Sequence, residues 1–82
     1  MTETINQNFF QTYDLGCAGA LVSAGYHLKN LDKSQPRKAQ FLFVKEESIE
    51  QSVEDYFSGN FQVDALAFFN ALKNLKNRIY SS

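Results

Sequence analysis

The chain has 82 residues, of which 44% are hydrophobic, and a formal net charge of -1. That length allows one domain with a single small core, that hydrophobic share excludes a disordered chain, and that charge balance excludes a dedicated nucleic-acid coat. One cysteine excludes an internal disulfide framework and a thiolate metal cluster.

In chain order, residues 1–8 are polar and aperiodic and read as a flexible N-terminal tail; residues 9–82 read as a single α+β domain. "FFQTY" (9–13) has the aromatic and Thr content of a short strand. Asp14 then reads as an N-cap, because its carboxylate can accept the orphan amides of the next turn. The helix "LGCAGALVSA" follows and ends at Gly25, a residue free to take left-handed backbone. Within it, Gly16, Cys17, Ala18, Gly19 and Ala20 are consecutive small residues. Each interior glycine costs about 1 kcal/mol relative to alanine. A helix that keeps two of them is expected to press closely on a neighbour, either inside the chain or on another protomer. Gly16 and Gly19 match neither a phosphate loop nor a dinucleotide fingerprint.

Residues 26–33 alternate like a strand with one wet face, except that Leu31 falls off the pattern. "SQPR" (34–37) supplies a turn. "AQFLFVKE" (39–46) places Phe41 and Phe43 on one face and Leu42 and Val44 on the other, so this strand is expected in the centre of the sheet. Ser48 and Gln51 have capping-box spacing at the start of a second helix. Ile49, Val53 and Tyr56 or Phe57 form its apolar stripe, and Gly59 ends it. Asp64 is expected to cap a third helix in which Ala65, Phe68, Leu72, Leu75 and Ile79 recur at helical spacing, with Phe69 and Tyr80 beside them. The predicted order is β-α-β-β-α-α, a small, mostly antiparallel three-stranded sheet covered by helices.

The charges are segregated. Lys29, Lys33, Arg37, Lys38 and Lys45 face a single acid, Asp32, over residues 29–45. Residues 46–64 hold Glu46, Glu47, Glu50, Glu54, Asp55 and Asp64 and no base, and residues 65–82 hold Lys73, Lys76 and Arg78 and no acid. Such a pattern is that of solvated faces, or of a basic patch beside an acidic one that serves a ligand or head-to-tail self-association.

Catalytic and metal constellations are sparse. Cys17 and His27 are the only Cys and His, too few for zinc. Cys17 near a helix start, with His27 on the adjacent strand as its base, is a distant enzymatic reading. The carboxylates around Glu46–Asp55 lie on an exposed helix and not in the shielded cleft that general acid work needs. No catalytic residue, metal or cofactor is expected. With no basic-then-apolar leader and no apolar run near 18 residues, neither a secretory signal nor a membrane span is expected, and a reducing cytoplasm is the default compartment.

Two binding readings stand. The aromatic excess and the small-residue helix point to more apolar surface than so small a core can hide. This favours a non-enzymatic interaction domain that self-associates or docks to another protein, with Gly16, Gly19, Ala20, Phe69 and Tyr80 as the contact. The alternative is weak nucleic-acid binding by the basic hairpin 29–38. It would use Lys29, Lys33, Arg37 and Lys38, with Tyr26, Phe41 and Phe43 as stacking platforms, and it requires Phe41 or Phe43 to face solvent.

"TYDLGCAGALVSAGYHL", "RKAQFLF", "VEDYFSG" and "VDALAFFNALKNLKNRIYS" carry a resemblance over about residues 9–80. The T-x-D-L helix start, the F-x-F strand, the V-x-x-Y-x-x-G helix and the V-D-A helix ending in L-K-x-x-I resemble a family of short bacterial and phage-borne proteins, a domain of unknown function. The resemblance implies a self-contained domain often carried on mobile DNA. It supplies no catalytic residue and no ligand.

Overall fold

A computed structural model of the chain describes residues 9–35 and 38–81. The tail expected over 1–8, and Pro36 and Arg37 of the turn expected over 34–37, lie outside the described residues. Three strands, β1 (Phe9–Thr12), β2 (Leu28–Gln35) and β3 (Lys38–Val44), and three helices, α1 (Leu15–Ser23), α2 (Ile49–Ser58) and α3 (Ala65–Tyr80), follow in the order β1-α1-β2-β3-α2-α3. The sheet is antiparallel with strand order β1-β3-β2, so the strand that is apolar on both faces lies in the middle.

Period-2 geometry divides β3 cleanly. Phe41 and Phe43 are buried under the helices together with Cys17, Ala18, Leu21, Ile49 and Leu75. Leu42 and Val44 point the other way and are only half-buried. The helices therefore cover one face of the sheet, and the second apolar face of β3 shares an uncovered surface with Phe9. On β2 the misfit of Leu31 has a structural cause. Leu28 pairs with Phe43, Asn30 with Leu42 and Leu31 with Phe41, so one extra residue is inserted between Leu28 and Asn30. This bulge lets two leucines three positions apart reach the same face, and both pack on the core cluster.

The helix ends follow local chemistry. The Asp14 carboxylate accepts from the Cys17 amide at 2.8 Å and Asp64 from the Ala67 amide at 2.9 Å, so both expected caps are formed. Gly25 (φ 101°) and Gly59 (φ 84°) occupy left-handed backbone just past α1 and α2. In each case the following amide returns to a carbonyl of the last turn, Tyr26 N to Leu21 O at 3.0 Å and Asn60 N to Asp55 O at 2.8 Å. The capping box at Ser48 and Gln51 does not form. The Ser48 backbone (φ -93°, ψ 0°) lacks the extended geometry of a cap and its side chain makes no cap bond. Its hydroxyl instead bonds the Tyr26 hydroxyl at 2.7 Å, and Tyr26 also meets Ser52 at 2.8 Å, tying the start of β2 to α2. Gln51 turns to the Asp55 carboxylate at 3.0 Å.

α1 packs chiefly on α3 and less extensively on α2. Cys17, Ala18, Gly19, Ala20 and Leu21 are all buried. A Cβ built on Gly19 would come within 2.7 Å of Leu72 Cδ2 and 3.4 Å of Phe68 Cε1. One built on Gly16 would meet the Tyr56 hydroxyl of α2. The small-residue run thus serves close approach of helices within one chain.

Candidate functional site

Two surfaces gather the candidate residues. The first is the outer face of α3. Leu66, Phe69, Lys73, Lys76 and Tyr80 recur at spacings of 3, 4, 3 and 4, which places them on one stripe. This stripe lies beside the core stripe of Phe68, Ala71, Leu72, Leu75 and Ile79. Leu66 is 66% exposed, Phe69 56% and Tyr80 83%. The Lys73 ammonium sits 5.5 Å from the centre of the Phe69 ring, within cation–π range. On α2, Phe57 is 61% exposed and its ring is held edge-on against Tyr56 (centroids 4.9 Å apart, planes at 81°). Glu50 and Glu54 precede Phe57 by seven and three residues, on the same outward face.

The second surface is the tip of the hairpin against the end of α3. A groove of about 620 Å³ there is lined by Tyr13, Leu15, Lys33, Lys38, Ile79 and Tyr80, among others. Lys38 lies 5.6 Å from the centre of the Tyr13 ring. Lys33 reaches across to α3 and donates to the carbonyl oxygens of Arg78, at 3.0 Å, and Ser81. A cation on the last carbonyls of a helix satisfies orphan acceptors and the negative end of the dipole together. Asp32 accepts from the Ser34 amide at 2.9 Å. That bond holds its carboxyl below the usual range.

These positions sort the sequence candidates. Gly19 and Ala20 are buried inside the chain and Gly16 is partly covered beneath Tyr56, while Phe69 and Tyr80 stand out from α3. Lys33 and Lys38 share the groove; Lys29 is exposed on the bulge and does not line it. Arg37 lies outside the described residues. Phe41 and Phe43 are buried, so the condition set for nucleic-acid stacking is not met. Leu66 is not among the residues the sequence singles out, and Phe57, there an alternative to Tyr56 in the apolar stripe of the second helix, is exposed instead. Their signal was present in the second, outer 3-4 repeat of α3 and in the spacing of Phe57 from Glu50 and Glu54, but it was masked by the stronger core stripes.

Cys17 is fully buried. Burial, aided by the nearby Asp14 carboxylate and opposed by a hydrogen bond with Thr12, pushes its thiol up from 9.0 to about 11. A rise from 9.0 to about 11 depletes thiolate about 100-fold at pH 8. The greater nucleophilicity of the higher-pKa thiolate offsets part of that depletion and burial adds to it, so the folded chain should react with a thiol reagent more than ~10-fold more slowly than the urea-unfolded chain. Equal rates would contradict this placement of Cys17. Among the described residues no group of three or more His, Cys, Asp or Glu side chains is placed to hold a metal ion, and no helix is long and apolar enough to cross a membrane.

No curated protein and no solved structure matches the chain. A family model described as Domain of unknown function (DUF5659) matches residues 7–81, a span that takes in every strand and helix above. The chain therefore belongs to the DUF5659 family, a domain of unknown function.

Proposed function

We propose that this domain is a non-enzymatic interaction module that self-associates through the outer face of α3, in a reducing compartment such as the cytoplasm, which suits its lone unpaired thiol. The observation that carries this reading is the exposure of Leu66, Phe69 and Tyr80 on a single helical stripe. Scattered exposed apolar residues are ordinary, but apolar residues gathered on one face mark contact surfaces. Aromatic side chains in such a stripe provide the anchors that dominate binding energy. The nucleic-acid alternative has less support, because Phe41 and Phe43 are buried and the Lys33 ammonium is engaged with the end of α3.

Sedimentation velocity over a concentration series tests the reading. The wild-type chain should associate as concentration rises. The double variant Leu66→Asp, Phe69→Asp should associate at least ~30-fold more weakly, the loss of about 2 kcal/mol typical of a hot-spot truncation. Its melting temperature should scarcely move, because both sites are on the surface. A chain that is monomeric at every concentration would sink the proposal.

A further inference from the structure

We infer that the partner of α3 is α2 of a second copy, laid antiparallel on it, with Phe57 against Phe69, Glu54 against Lys73 and Glu50 against Lys76. This inference rests on the self-association reading above and specifies its docking mode.

Three observations support it. The first is charge. The acids of residues 46–64 and the bases of residues 65–82 are fully segregated. The outer stripe of α2 is therefore acidic and aromatic, and that of α3 is basic and apolar. Among the described residues the one ion pair within the chain is Lys45–Glu50 at 3.1 Å. Among the described residues Glu54, Lys73 and Lys76 have no ionic partner. The Lys45–Glu50 pair is exposed and worth little, so Glu50 can exchange it for another cation at small cost.

The second is spacing. Running α2 backwards, Phe57, Glu54 and Glu50 lie at offsets of 0, 3 and 7 residues. Running α3 forwards, Phe69, Lys73 and Lys76 lie at 0, 4 and 7. Each triplet spans about 10.5 Å at a rise of ~1.5 Å per residue, so an aromatic contact at one end and two opposite-charge contacts can be made in one register. The antiparallel arrangement also opposes the two helix dipoles favourably.

The third concerns the symmetric alternatives. In a register that overlaps the charged residues, laying α3 on α3 of a second copy would bring Lys73 and Lys76 against the same two residues, and laying α2 on α2 would do so with Glu50 and Glu54. Like charges facing one another across a contact are costly. The mixed pairing joins Phe57 to Phe69 and sets acid against base in the same register, whereas a symmetric pairing escapes that repulsion only by slipping to a register that gains no ionic contact. A contact of two short helices lies at the small end of specific interfaces, below about 1,200 Å² of total buried surface, and belongs to the weak, reversible class.

The test is a charge exchange. One variant carries Glu50→Lys and Glu54→Lys, and the other Lys73→Glu and Lys76→Glu. All four sites are exposed, and circular dichroism checks that each variant folds. If either double variant fails to fold, the single pair Glu54→Lys and Lys73→Glu replaces it. Sedimentation velocity of each protein and of the equimolar mixture, from ~10 µM to ~1 mM, covers the weak range. Each variant alone should associate at least roughly tenfold more weakly than wild type, and the mixture should recover wild-type association, because the acidic α3 of one then meets the basic α2 of the other. Raising the salt should weaken wild type and mixture alike. Reversed variants that associate as tightly as wild type, or a mixture that stays as weak as its parts, would overturn this docking mode and leave self-association itself standing. A wild-type chain that remains monomeric would overturn both.

Discussion

Replacing Phe41 with alanine is expected to remove a large part of the stability of the domain. Phe41 is buried on the central strand and belongs to the one core cluster that joins α1, α2, α3 and the sheet. A buried Phe→Ala change costs about 3–5 kcal/mol, the lost transfer energy plus the cavity that incompletely relaxes. A domain of this length has roughly 4–12 kcal/mol in total, at 0.05–0.15 kcal/mol per residue. The melting temperature should fall by about 12–40 °C, at 4–8 °C per kcal/mol for a small domain, and the urea midpoint should fall with it. Leu42→Ala is the matched control. It lies one residue further on the same strand, half-buried on the uncovered face, and should cost about 1 kcal/mol, near the centre of the distribution for point substitutions. Equal losses at the two sites would show that the sheet is covered on both faces and that this architecture is wrong.

The second large effect is expected at Gly19. Its alanine variant introduces a methyl group 2.7 Å from the tip of Leu72. That atom is the end of a flexible side chain, and the helix gains about 1 kcal/mol from replacing glycine, so Gly19→Ala should lie near neutrality. Gly19→Leu cannot be accommodated in this way. Several more heavy atoms must enter the space between α1 and α3, against Leu72 and Phe68. Overpacking of this kind typically costs about 1–3 kcal/mol and occasionally more. Thermal unfolding of the three proteins should rank wild type and Gly19→Ala together and Gly19→Leu well below. The same pair separates an internal role from an intermolecular one. If Gly19→Leu kept its melting temperature while losing association, the small-residue face would be the protomer contact, and the packing of α1 on α3 within the chain would be refuted.

Much of the fold was legible in the chain because it is encoded locally. Asp14 and Asp64 mark helix starts through a side-chain oxygen three residues from an orphan amide. Gly25 and Gly59 mark helix ends because positive φ strains any residue with a Cβ. Apolar residues on both faces of 41–44 placed β3 in the centre of the sheet, where the strand order finds it. Ser48 shows where local reading fails: a good capping residue was drawn away by a tyrosine 22 positions earlier in the chain.

The sequence by itself determined the element order, the two aspartate caps, the glycine stops, the central strand and the separation of charge between the last two helices. All of these depend on residues within one or two turns of each other. Only the tertiary structure decided that one face of the sheet is covered and the other left open, because burial depends on which elements pack together and not on apolar character alone. It also decided that the bulge after Leu28 brings Leu31 to the core, and that Gly16 and Gly19 make room for Tyr56 and Leu72 of the same chain. The same is true of the candidate surface. Periodicity finds the apolar stripe of Phe68, Leu72, Leu75 and Ile79 on α3, but how far the flanking Leu66, Phe69 and Tyr80 are covered depends on where α1 lies. The fold turns Phe68, Leu72 and Leu75 inward and leaves Leu66, Phe69 and Tyr80 in solvent.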